Sequence, residues 1–113
     1  MQFIELHSIK LEVPGYGYVI LDLQRDSATS CRLRDLVVEE NSRGAGLGRK
    51  LLNAAVDKAI TLGYDSVYLY ASPSVKRGDT ILQKDVLLKF YESAGFTPMF
   101  EVNGRTLMIK RLH

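Results

Sequence analysis

The stretch "DLVVEENSRGAGLGRKLLNAAV", residues 35–56, decides the fold. It passes from an apolar run (Leu36, Val37, Val38) through a polar loop holding Gly44, Gly46 and Gly48. It then enters a segment whose apolar residues recur every three or four positions. The first part predicts a strand and the last a helix. Glycine inside a helix costs roughly 1 kcal/mol relative to alanine, so three of them where a helix begins need a further reason. At a helix N-terminus the first N–H groups have no intrahelical acceptor, and the dipole adds about half a positive charge. Residues without a Cβ let a ligand approach that backbone, and Arg43 and Arg49 flank it with cations. The combination predicts an anion site, most often one for phosphate.

Outward from this stretch the chain is legible in both directions. Leu47, Leu51, Ala54 or Ala55, Ala59 and Leu62 give the helix its apolar stripe, and Gly63 is placed to close it. "DSVYLYAS", residues 65–72, predicts a short strand, so strand, helix and strand form a βαβ unit with parallel strands. Upstream, residues 2–13 predict a strand, "PGYG" at 14–17 a turn, and "YVILDLQRD" at 18–26 the return strand of a hairpin. A third strand runs from about Cys31 to Glu39, its "LVV" end buried on both faces as a central strand would be. Downstream, residues 73–83 are polar and irregular. "KDVLLKFYESAGF" returns to helix, with Asp85 to cap it, Val86, Leu87, Phe90 and Ala94 on its apolar side, and Gly95 to end it. Two last strands are joined by Asn103-Gly104, the strongest short-range hairpin signal. The order is βββ-α-β-α-ββ: an α/β protein with a mixed sheet flanked by helices, one domain over residues 1–113.

Composition narrows the function. Apolar residues at 46% and charged residues at 25% are those of an ordinary globular protein. A net charge of +2, spread over scattered pairs such as Arg32 and Arg34 or Lys110 and Arg111, argues against nucleic acid and membrane partners. The single Cys31 rules out an intrachain disulfide and reads as a core residue in a reducing compartment. With His7 and His113 as the only imidazoles, no metal site is recognisable. No membrane span and no signal-peptide layout are expected, so the expected location is cytoplasmic.

Register separates the phosphate loops. No Walker A run exists, and the dinucleotide fingerprint counted from Gly44 and Gly46 fails at Arg49. What fits is R-x-x-G-x-G, with Arg43, Gly46 and Gly48, directly after an apolar strand. This resembles the acetyl-CoA pyrophosphate loop of the GNAT acetyltransferase family. "LLKFYESAGF", residues 87–96, resembles that family's helix and turn, with Tyr91, Glu92, Gly95 and Phe96 on the matching positions. Taken alone, Tyr91 reads as a core aromatic; with the loop, the strand order and the closing hairpin it reads as a site residue.

The resemblance implies acetyl transfer from acetyl-CoA to an amine. It implies that the pantetheine arm runs along Leu36, Val37 and Val38, with the Val38 N–H directed at the thioester carbonyl. Arg43, Gly44, Ala45, Gly46, Leu47, Gly48 and Arg49 would hold the pyrophosphate, and Ser72 or Ser74 would reach the pantetheine amide. Tyr91 would hydrogen-bond the departing sulfur; with reference pKa values near 10 and 8.5, full proton transfer is uphill by about 2 kcal/mol. A lysine acceptor must lose a proton at a cost of about 4.6 kcal/mol at pH 7. The glutamate that several family members carry on the strand matching residues 66–71 is absent here. Among Asp35, Glu39, Glu40, Asp79 and Asp85, the expected bases are Glu39 and Asp35, on the strand that lines the cofactor.

This sequence departs from the family in two places. Glu40 and Ser42 stand where a proline and an aromatic often precede the arginine, and three strands stand where a strand and two helices usually roof the acceptor site. An open acceptor side favours a protein lysine or N-terminus over a small metabolite. The alternative is a catalytically weak acetyl-CoA-binding regulator of a partner protein. The resemblance leaves monomer and homodimer both open.

Overall fold

The computed structural model describes residues 6–24, 29–39, 44, 46–72 and 84–113. Among them the elements are β1 (Leu6–Val13), β2 (Gly17–Gln24), β3 (Ser30–Val38), α1 (Leu47–Thr61), β4 (Ser66–Ala71), α2 (Lys84–Ser93), β5 (Thr97–Val102) and β6 (Arg105–Arg111). This is the expected order. The expected first strand over residues 2–5, the end of the second over 25–26 and the irregular stretch 73–83 lie outside the described residues. The strands form one six-stranded sheet in the order β1-β2-β3-β4-β6-β5. β3 and β4 run parallel, as the βαβ reading requires, and the other neighbours are antiparallel.

The hairpins follow from local chemistry. Tyr16 N–H donates to the Val13 carbonyl at 2.9 Å to close the turn between β1 and β2. Asn103 and Gly104 have φ of 50° and 78°, the two positive values that a type I′ turn needs.

Leu51, Leu52, Ala55, Val56 and Ala59 of α1 are buried in one core with Val19, Leu21, Cys31, Leu33, Val67, Leu69 and Met108 of the sheet. Leu51, Ala55 and Ala59 of the expected stripe are thus buried, and Leu47 packs against the core. Leu52 and Val56 join them, Ala55 rather than Ala54 faces the core, and Leu62, which follows the last helical turn, is 44% exposed. In α2 the exposed Val86 gives way to Tyr91, which joins Ala94 in that core, and Asp85 lies inside the first turn rather than at the cap. Along β4, Val67, Leu69 and Ala71 are buried while Ser66, Tyr68 and Tyr70 are only half-buried. Both helices therefore cover one face of the sheet.

The two helices end alike. Tyr64 N–H donates to Ala59 C=O and Gly63 N–H to Ile60 C=O; Phe96 N–H donates to Tyr91 C=O and Gly95 N–H to Glu92 C=O. This is the Schellman pattern, in which the residue after the left-handed glycine packs on the one five positions back. At α2 that contact is Phe96 against Tyr91, edge to face at 6.0 Å. Gly95, at φ 95°, also admits Lys110, whose Nζ donates to Ala94 C=O at 2.5 Å.

Cys31 is 1% exposed, and burial pushes its thiol up to about 11, which suits a packed residue and not a nucleophile. No described helix is long and apolar enough to cross a membrane.

Two outcomes follow from this packing. A Cβ on Gly17 would lie 2.4 Å from Val37 O and 3.2 Å from Leu51 Cδ1. Gly17→Ala is therefore expected to destabilise by about 1–3 kcal/mol, read as a lower urea midpoint; an unchanged midpoint would contradict this close approach. In a native sample at pH 8, Cys31 is expected to label with a disulfide reagent at least about 100-fold more slowly than in denaturant; equal rates would contradict its burial.

Candidate active site

β3 and β4 pair over three positions only: Ser30 with Ser66, Cys31 with Val67 and Arg32 with Tyr68. The paired end is clasped by Ser30 Oγ and Ser66 Oγ at 2.5 Å. Beyond it β3 continues to Val38 and β4 to Ala71 without pairing with each other. The cause lies on the β2 side, where Leu21 faces Leu33 but Ile20 faces Asp35, leaving Arg34 as an extra residue in β3. Such a bulge bends its strand and increases the local twist, so β3 swings away from β4. The resulting gap lies at the carboxyl ends of two parallel strands, where open α/β sheets take their ligands.

The direction of the backbone groups along the gap follows from one hydrogen bond. Glu39 N–H donates to Tyr16 C=O at 2.7 Å, towards β2. Alternation along the strand then directs the Leu36 and Val38 N–H groups at the gap.

α1 begins beside this limb of β3. A Cβ on Gly48 would meet Val38 Cγ2 and Phe90 Cζ of α2, each at 3.6 Å. Gly46 is the N-cap, at φ 77° and with no side-chain cap, and the first turn carries no acidic residue. Lys50 N–H takes the Gly46 carbonyl at 3.1 Å, so the amides of Leu47, Gly48 and Arg49 precede the first helical bond. A Cβ on Gly46 or Gly44 would meet nothing within 4 Å. The left-handed backbone calls for glycine there, and open space lies above it.

The structure thus brings Leu36, Val37 and Val38 together with Gly46, Leu47 and Gly48 at one end of the sheet. α2 adds Phe90, and Tyr91 follows with its ring edge to face against Phe90 at 5.2 Å. Tyr91 is 9% exposed, and burial pushes its phenol up to about 12. Among the described residues its hydroxyl has no hydrogen-bond partner. Ser72, half-buried, directly follows β4.

Other expected residues are placed differently. The Arg49 guanidinium donates to Ser93 Oγ at 2.7 Å and Ser93 C=O at 2.8 Å, so it ties α1 to the end of α2, and only its backbone N–H remains at the helix start. The bulge puts Asp35 opposite Ile20, on the face away from the helices, where it is 45% exposed and pairs with Arg34 at 3.3 Å. Glu39 is exposed just past the strand. Arg43, Ala45, Glu40, Ser74 and Asp79 lie outside the described residues. Sequence reasoning missed a stack on the uncovered face. Arg32 and Arg105 stand over the Tyr70 ring at 5.0 and 4.7 Å, a grouping visible only once the strand register is known. Among the described residues no group of three His, Cys, Asp or Glu side chains is placed to hold a metal.

Solved structures share this architecture. The chain matches the PaiA N-acetyltransferase from Thermoplasma acidophilum in complex with coenzyme A at 22% identity and TM-score 0.63, over 85% of this chain and 53% of that one. It matches a GNAT family acetyltransferase from Elizabethkingia anophelis with acetyl-CoA bound at 16% identity and TM-score 0.70, over 95% and 76%. It matches an aminoglycoside 6'-N-acetyltransferase complexed with coenzyme A at 18% identity and TM-score 0.72, over 94% and 72%. The chain spans about half of the Thermoplasma protein, and these identities speak to the fold alone. No curated protein sequence matches it. Residues 7–98 match the acetyltransferase (GNAT) domain, which is most of the chain, and the protein accordingly belongs to the GNAT acetyltransferase family.

Proposed function

We propose that the chain is an N-acetyltransferase that moves the acetyl group of acetyl-CoA to a primary amine of a protein, a lysine side chain or an N-terminus. The observation that carries this reading is the parting of β3 and β4 directly beside the uncapped start of α1. The residues present fit the donor. The first-turn amides of Leu47, Gly48 and Arg49 would hold the pyrophosphate, reached through the open space over Gly44 and Gly46. Leu36 and Val38 would pair with the amides of the pantetheine arm as a neighbouring strand does, with Ser72 across the gap. Bound acetyl-CoA supplies an activated thioester, so transfer exchanges its C–S bond for a C–N bond and releases a thiol.

The Val38 N–H would stabilise charge developing on the carbonyl oxygen. Tyr91 would donate a hydrogen bond to the sulfur. With its phenol at about 12 against a thiol near 8.5, giving up the proton is uphill by about 5 kcal/mol, so Tyr91 donates without transferring. Arg34 holds Asp35 on the far face, which leaves Glu39, next to Val38 and open to solvent, as the candidate base.

A second reading, a regulator that binds acetyl-CoA without efficient turnover, is favoured by one observation: β4, Ser66–Ala71, carries no carboxylate.

Calorimetry with coenzyme A tests the site. Micromolar binding is expected for the wild type. Gly46→Glu combines a left-handed backbone strain of roughly 1–2 kcal/mol with a carboxylate at the anion site, and should abolish binding. Gly48→Ala meets only ordinary contacts at 3.6 Å and should keep or raise Tm, because alanine is the better helix former by about 1 kcal/mol. It should nevertheless weaken binding at least about 10-fold, by about 1.4 kcal/mol. A wild type that does not bind coenzyme A would overturn both readings.

Tyr91→Phe keeps the ring stack and removes the hydroxyl. It is expected to lower kcat about 10- to 100-fold, a loss of roughly 1.4–2.7 kcal/mol, with KM for acetyl-CoA unchanged. The wild-type rate should show no ionisation of Tyr91 up to about pH 10.5, because its phenol stays protonated to about 12. Full activity in the variant would remove the role of Tyr91 and leave the regulator as the better reading.

A further inference from the structure

On the sheet face that neither helix covers, Arg32 of β3 and Arg105 of β6 both stand over the ring of Tyr70 on β4, at 5.0 and 4.7 Å from its centre. Arg32 is the last paired residue of β3, and Tyr70 lies two positions past the last paired residue of β4. The stack therefore stands at the mouth of the gap between those strands, on the side opposite α1 and α2.

Two features set these arginines apart from the others nearby. Among the described residues neither forms an ion pair, and Arg32 Nε is buried with no hydrogen-bond partner. Arg34, on the adjoining bulge, is by contrast neutralised by Asp22 at 2.9 Å and Asp35 at 3.3 Å. Among the described residues neither cation of the stack is ion-paired, and the carboxylate opposite Arg32, Asp22 of β2, is held by Arg34; a desolvated donor without a partner is costly. The surroundings are apolar: Tyr68, Leu107 and Ile109 are half-buried beside the stack, and Phe100, opposite Leu107 on the edge strand, is 58% exposed.

We propose that this face docks the acetyl acceptor as an acidic polypeptide segment, with Arg32 and Arg105 gripping a carboxylate close to the amine that receives the acetyl group. A guanidinium pair matches carboxylate geometry through its forked N–H groups. Among the described residues no helix covers this face, so a polypeptide can lie across it. Nucleic acid would require a broad basic field, and here Asp22 and Asp35, paired with Arg34 on the adjoining strands, interrupt it. The proposal rests on the acetyl-transfer reading for the identity of the amine, but the docking itself is measurable without turnover.

The test uses fluorescently labelled lysine peptides flanked by glutamate or by glutamine, with binding read by polarisation and acetylation by thiol release. Wild type is expected to bind the glutamate peptide at least 10-fold more tightly. The double variant Arg32→Gln/Arg105→Gln should lose that preference while its coenzyme A affinity stays within 2-fold. Arg32→Lys, which keeps the charge without the fork, should retain part of it, and Lys58→Gln, a control that removes one positive charge at the far end of α1, all of it. Equal affinity for both peptides, or a preference that survives the double variant, would overturn the proposal. Tighter binding of a short single-stranded DNA than of the glutamate peptide would overturn it too. Failure to bind coenzyme A with the peptide preference intact would instead count against the acetyl-transfer reading alone.

Discussion

The bulge at Arg34 is the constraint on which the rest of the structure depends. One extra residue in β3 bends the strand so that its first three positions pair with β4 and the remainder do not. A regular parallel ladder would have closed β4 against the end of β3 and left nowhere for a peptide-like ligand to enter. The same bend carries the end of β3 to the start of α1, where Val38 and Gly48 come into near contact. Gap and helix start thus form one feature, shaped by a single irregularity.

Around that feature the helices do different work. α1 supplies the core through Leu51, Leu52, Ala55, Val56 and Ala59, and its first turn is left uncapped by any side chain. An acidic or hydroxyl cap would contribute about 1 kcal/mol of stability but would occupy the amides on which an anion would sit. α2 is short, and its end is held by three devices: the Schellman bonds around Gly95, the Lys110 ammonium on Ala94 C=O, and the Arg49 guanidinium on Ser93. Together they secure the turn that carries Tyr91. The tyrosine, glycine and phenylalanine at 91, 95 and 96 are therefore a structural unit. The tyrosine carbonyl and ring receive the turn, which leaves its hydroxyl available.

Burial also separates the two groups that sequence alone could have offered as nucleophile or acid. Cys31 and Tyr91 both have their ionisation suppressed by desolvation. For the cysteine this removes reactivity. For the tyrosine it preserves a neutral hydrogen-bond donor. The carboxylates show the opposite situation: Asp35 is committed to a surface ion pair, and surface pairs of that kind contribute little stability.

The element order, the parallel β3-α1-β4 unit, the I′ turn at Asn103-Gly104 and the glycine-rich helix start were all legible in the sequence. Each is set by residues within a few positions of one another: alternation, a three-to-four-residue period, or a backbone that only glycine adopts readily. Register was not legible. The bulge that turns Asp35 to the far face, the burial of Leu52 and Val56 beside the expected α1 stripe, and the use of Arg49 to hold Ser93 depend on how elements distant in sequence meet. The same holds for the stack of Arg32, Tyr70 and Arg105, drawn from three strands. Local chemistry by itself determined which segments become strands and helices and where an anion could bind. Only the tertiary structure decided which side chains face one another, because a single extra residue in a strand reverses the face of every residue beyond it.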